Sequence, residues 1–120
     1  RDRPWAAMMD ELDATGLLDE TLVVWMGEFG RTPVINANRG RDHFPTVTPV
    51  VIGGAGVARG QVIGKTNSTG TGIDGKINYV RDLFATIFEA MGYDALHEFP
   101  TDFGSMTKAT DDGEPIEGLI

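Results

Sequence analysis

Four side chains within residues 28–43 are of types that can do chemistry together: Glu28, Arg31, Asp42 and His43. Glu28 offers a hard carboxylate to a divalent cation, and Gly27 and Gly30 around it let the backbone bend closely. His43 can ligate zinc or manganese through a neutral imidazole, while Asp42 beside it can ligate the same ion or orient a histidine ring. The planar fork of Arg31 matches two oxygens of a phosphate or sulfate ester. Together the four describe the mouth of a site for a metal and an anion, with the open coordination positions that catalysis requires.

Each residue also has a plainer reading that its type and place leave open. Glu28 suits a solvated or helix-capping carboxylate, His43 a surface or packing histidine, and Arg31 an ion-pair partner that stiffens its loop. Arg39 and Arg41 read as loop-surface charges, and His97 as a solvated histidine in an acidic stretch. Thr32 and Thr46 are the nearest hydroxyls, yet neither has an adjacent base, so this segment does not read as the source of a nucleophile.

The element that must position these groups is the strand before them. Residues 21–26, Thr-Leu-Val-Val-Trp-Met, are apolar on both faces and rich in strand-forming types, so they predict a buried strand. In open parallel sheets, ligand groups gather at the carboxyl ends of such strands. Ahead of it, Trp5, Met8, Met9 and Leu12 keep helical spacing, with Pro4 in the first turn and Gly16 as the stop, predicting a helix over residues 4–15. Residues 27–46 show no apolar periodicity and predict a long loop of the functional kind. Residues 47–52 predict a second strand, parallel and near the first, in which Pro49 implies an edge position, a bulge or a late start.

Gly53-Gly54-Ala55-Gly56 then turns the chain; it lacks both the Lys-Ser/Thr ending of a phosphate loop and a dinucleotide fingerprint. Residues 61–64 predict a weak third strand and residues 65–75 a mobile loop, in which Asn67-Ser68-Thr69 matches the glycosylation triplet. Ile77, Val80, Phe84, Ile87, Phe88 and Met91, widened by Leu83 and stopped by Gly92, predict a second helix. Residues 93–120, with Pro100, scattered glycines and Asp111-Asp112-Gly113-Glu114, predict an irregular surface tail. There is no internal repeat.

The order of these elements gives an α/β class. Its 120 residues hold one domain at most, and 41% apolar residues suffice for an ordinary core. With 10 Lys and Arg against 18 Asp and Glu, the net charge of −8 argues against nucleic acid and anionic membrane surfaces as partners. The lack of cysteine excludes disulfides, thiolate metal sites and a cysteine nucleophile, and fits either redox compartment. No apolar run approaches the roughly 18 residues of a membrane span. Two helices with two or three strands make a thin parallel sheet that needs neighbours on both edges. With a start at Arg1 rather than Met, the chain is expected to be the carboxyl-terminal fragment of one domain.

Thr-Leu-Val-Val-Trp-Met-Gly-Glu-Phe-Gly-Arg-Thr-Pro, then Gly-Arg-Asp-His-Phe-Pro, then Thr-Pro-Val-Val-Ile-Gly-Gly-Ala-Gly, resembles the carboxyl-terminal part of the domain-of-unknown-function 1501 family. Those are bacterial proteins related to the alkaline phosphatase and sulfatase superfamily, and the likeness runs over residues 5–92. It implies part of an α/β/α sandwich with a mostly parallel sheet, exported to the periplasm or beyond. It also implies a divalent metal (zinc, manganese, magnesium or calcium) and a small anionic ester as substrate. The superfamily's Asp-His ligand pair looks like Glu28 and Phe29 here, and a later ligand histidine is similar in position to His43. Phenylalanine cannot ligate, so one metal position is weakened or lost. The superfamily's nucleophile and first carboxylate ligands lie upstream of the part that this chain resembles.

Two functions follow as expectations. In the first, the chain is part of a metal-dependent hydrolase-like domain acting on sulfate or phosphate esters, with Glu28, Asp42 and His43 toward the metal and Arg31 offsetting charge on the transferred group. The isolated fragment is then inactive, and its partner is the upstream part of the same domain. In the second, it belongs to a non-catalytic exported binding or scaffold protein with a degenerate metal site.

Overall fold

A computed structural model describes residues 2–120 as mixed α/β, with two helices and small two-stranded sheets. The chain divides into two compact units: one holds residues up to Val23 together with Ile52–Gln61 and Tyr79–Ile120, the other Val24–Val51 and Val62–Asn78.

In the first unit, helix α1 (Asp2–Ala14) carries its apolar stripe as expected, yet none of its residues is buried. Trp5, Met9 and Leu12 are half-buried while Met8 is exposed. Gly16 ends the helix in the left-handed region at φ 76°, which only glycine adopts without strain. A 3₁₀ turn, Leu17–Asp19, buries Leu18 and accepts the Ala55 amide on the Leu18 carbonyl at 2.9 Å. Gly54 makes that approach possible: at φ 88°, a Cβ there would collide with the Thr21 carbonyl oxygen.

Helix α2 (Val80–Ala90) contributes Leu83, Ala85 and Thr86 to this unit's core. The Asp82 carboxylate opens the helix by accepting the Tyr79 amide at 2.7 Å, and it also accepts the Glu114 amide at 3.2 Å. The fully buried Thr86 hydroxyl donates to the Asp82 carbonyl at 2.7 Å and accepts the Ile116 amide at 2.8 Å. The final residues are therefore fastened along α2, and Ala95, Thr110 and Leu119 join the core. Thr110 donates its hydroxyl to the Ala95 carbonyl at 2.6 Å. The tail, expected to be irregular, also contains an antiparallel hairpin; we number its strands β5 (Glu98–Pro100) and β6 (Met106–Lys108) in chain order. At its end the Lys108 ammonium hydrogen-bonds Asp112 and holds that carboxyl below its ordinary range.

Strand β1 (Val23–Met26) is hydrogen-bonded to β4 (Val50–Gly53), so the two predicted strands are neighbours. The second begins three residues later than the predicted 47–52, after Pro49, as a residue without an N–H favours. Between them lie two strands that apolar periodicity does not reveal, β2 (Gly30–Arg31) and β3 (His43–Phe44), paired antiparallel.

Four expectations change. No mostly parallel sheet is seen among the described residues, and the ladders β2·β3 and β5·β6 are antiparallel. The reason is connection length: helix-free segments of 11 and 5 residues separate those strands, and parallel pairing needs a longer crossover. The third strand expected at 61–64 does not form, and an isolated bridge between Thr66 and Ile73 takes its place. The segment 27–46 is a hairpin rather than a continuous loop. In α2 the buried face centres on Leu83, Ala85 and Thr86, whereas Ile77, Phe84 and Met91 of the predicted stripe are exposed. Among the described residues, no helix is long and apolar enough to cross a membrane.

Candidate functional site

The hairpin β2·β3 lies within the second unit and holds three of the four chemically competent residues. Gly30 seats it: opposite Phe44, it lets the chain come so close that a Cβ would collide with the Val47 carbonyl oxygen. Arg31 then stands directly opposite His43. Next along, the Thr32 amide donates to the Asp42 carbonyl at 3.1 Å, so alternation makes Arg31 and His43 the non-hydrogen-bonded pair, whose side chains lie closest.

The turn between the strands is organised by Asn36. Its Oδ1 accepts the amides of Asn38 and Gly40, each at 3.0 Å, and its backbone N–H donates to the Gly40 carbonyl at 2.8 Å. Its Nδ2 donates to Asp42 Oδ1 at 2.8 Å. The Thr32 hydroxyl donates to the Val34 carbonyl at 3.0 Å and accepts the Asp42 amide at 3.1 Å. Arg41, a surface charge by sequence, reaches the Thr32 carbonyl at 3.3 Å. These bonds occupy Thr32 and Asp42 with holding the turn, a role that their types do not announce. The Asn36-to-Gly40 spacing ahead of Asp42 is the signal that could have revealed it.

On the Arg31 and His43 face, the Phe29 ring packs on the His43 imidazole, with centroids 4.2 Å apart and planes tilted by 47°. The Arg31 guanidinium carbon stands 5.8 Å from the centre of the same ring. Phe29 is half-buried, whereas Glu28, Arg31, Asp42 and His43 are all exposed. Glu28 precedes β2, and among the described residues its carboxylate enters no hydrogen bond or ion pair.

The structure therefore brings Arg31 and His43 together, with Asp42 turned to Asn36. Among the described residues, no three His, Asp or Glu side chains converge as a metal cluster. The local charge does favour an anion: Arg31, Arg39 and Arg41 against Glu28 and Asp42 give +1 over residues 27–46, within a chain of net charge −8. What a guanidinium beside an imidazole can do is hydrogen-bond an oxyanion from two directions. Because both groups face water, each such contact is worth only about 0–1 kcal/mol. Two such contacts hold a free anion no more tightly than about tens of millimolar, and tighter binding needs water to be excluded.

The family described as "Protein of unknown function (DUF1501)" matches residues 1–120. No curated protein and no solved structure matches the chain.

Proposed function

The chain belongs to the DUF1501 family, and from that premise we propose that its β2·β3 hairpin is the anion-holding part of a hydrolase-like domain acting on sulfate or phosphate esters. The observation that carries this reading is the direct cross-strand pairing of Arg31 with His43. Arg31 grips two oxygens of the ester and offsets charge that develops on the transferred group; His43 donates an N–H to a third oxygen. Glu28, exposed and unengaged, stands at the entry to the same hairpin.

The divalent cation of this reading would draw on Glu28, Asp42 and His43. As arranged, these residues do not form a three-donor cluster, so by themselves they do not fit a resident ion, and no step is routed through one. The remaining ligands and the nucleophile would come from the upstream part of the same domain. A second reading, a non-catalytic binding or scaffold protein, is favoured by one specific observation: Phe29, which cannot ligate, stands where the resembled pair has a ligand.

Titrating inorganic sulfate and phosphate into the chain, followed by amide and side-chain NMR, tests the proposal. Shifts confined to residues 29–32 and 42–44, absent with chloride at equal ionic strength and lost in Arg31→Gln, are expected. Shifts spread evenly over all arginines and lysines would remove the hairpin as an anion site.

A further inference from the structure

Phe29 is the apolar aromatic on the face that Arg31 and His43 share. A ring placed there only to fill space would pack into a core, and the core residues of this chain lie in the other unit. Phe29 instead has the His43 imidazole at 4.2 Å and the Arg31 guanidinium at 5.8 Å from its ring centre. The two polar side chains come from different strands and share no hydrogen bond among the described residues, so this aromatic surface is the common object that both touch.

We propose that Phe29 is a positioning residue: its ring holds the His43 imidazole and the Arg31 guanidinium side by side, so that both meet one sulfate or phosphate group. This rests on the anion-holding reading above and deepens it. The physical basis is twofold. The tilted ring contact restricts the imidazole to a narrow set of ring orientations, and the π face attracts the guanidinium without competing for its N–H donors. Arg31 thus keeps its whole fork for the anion while losing the rotamer freedom that would otherwise oppose binding. A carboxylate partner would hold Arg31 as firmly but would occupy that fork. Phenylalanine at position 29 is then a functional choice for anion binding, as well as the loss of a metal ligand.

The test uses Phe29→Leu and Phe29→Tyr in the 120-residue chain, with inorganic sulfate and inorganic phosphate as probes and two NMR readouts. In Phe29→Leu the His43 ring-proton resonances lose their ring-current displacement, and affinity for both anions falls about two- to fivefold, as expected for losing one exposed cation–π contact. Phe29→Tyr, which keeps the face, retains both the displacement and the affinity. The cross-strand backbone contact between Arg31 and His43 serves as the folding control and is unchanged in both variants. Should Phe29→Leu unpair the hairpin, Phe29→Tyr and Phe29→Trp decide: loss of affinity in both, with the hairpin intact, overturns the proposal. If Arg31→Gln abolishes binding while Phe29→Leu binds as tightly as the wild type, the positioning role fails and the anion-holding reading stands. If the wild type binds neither anion, that reading fails and takes the positioning role with it.

Discussion

Thr86→Val removes one oxygen from the fully buried contact that fastens the final residues to α2. The substitution is nearly isosteric and leaves helix propensity almost unchanged, so packing and local preference roughly cancel. What is lost is the acceptor for the Ile116 amide at 2.8 Å and the donation to the Asp82 carbonyl at 2.7 Å. The carbonyl keeps the intrahelical partner that its place in α2 provides, whereas the Ile116 amide is left without an acceptor. An unsatisfied donor of this kind costs about 1–3 kcal/mol. Against a urea dependence of about 1–3 kcal/mol per molar, the midpoint should fall by roughly 1 M. Urea unfolding followed by fluorescence in a Trp25→Phe background reads Trp5, which lies in the same unit as Thr86. Hydrogen exchange adds the site-specific readout: Ile116 loses protection in Thr86→Val and keeps it in Thr86→Ser. Unchanged protection at Ile116, or a Thr86→Val chain as stable as the wild type, would refute the reasoning.

Gly30→Ala sets a Cβ against the Val47 carbonyl oxygen, so the β2·β3 pairing should open; a preserved backbone contact between Arg31 and His43 contradicts this. Asn36→Ala removes the acceptor for the Asn38 and Gly40 amides and frees Asp42, and on the scale of other local side-chain caps should destabilise the turn by about 1 kcal/mol, read as faster amide exchange at Gly40. The hydrogen bond from Lys108 holds the Asp112 carboxyl below its ordinary range. That pair therefore stabilises the fold above the unfolded carboxylate pKa and ceases to as pH falls through the lower folded value. An NMR titration should show Asp112 returning to the ordinary range in Lys108→Met.

Elements carried by long apolar patterns were legible. Trp5, Met9 and Leu12 mark α1, Leu83, Ile87 and Phe88 mark α2, and Val23 and Val24 mark β1, because periodicity sums over many residues. Pro49 left an edge position, a bulge or a late start open, and β4 starts late, at Val50. The hairpin was not legible: two residues per strand leave no period to read, and its pairing is set by the close approach of Gly30 to Val47 and by the local hydrogen bonds of the Asn36 side chain, neither of which shows as an apolar pattern. The same holds for α2, where Thr86 rather than Phe84 is buried because its hydroxyl meets the Ile116 amide, a contact 30 residues away. At the site, residue types singled out Glu28, Arg31, Asp42 and His43 as a group, and strand register sets Arg31 opposite His43. The contact of Phe29 with both members of the pair depends on strand register, which residue spacing does not supply.

Turnover of an aryl sulfate and an aryl phosphate tests the functional account most directly, measured in the protein that carries these 120 residues, with zinc, manganese, magnesium or calcium supplied in turn. Arg31→Gln and His43→Gln should each lower kcat/KM at least about tenfold, which corresponds to about 1.4 kcal/mol of lost transition-state stabilisation. Their double variant should fall by less than the product, since both groups hold one anion. An active protein indifferent to both substitutions would contradict the assignment of this hairpin to the ester.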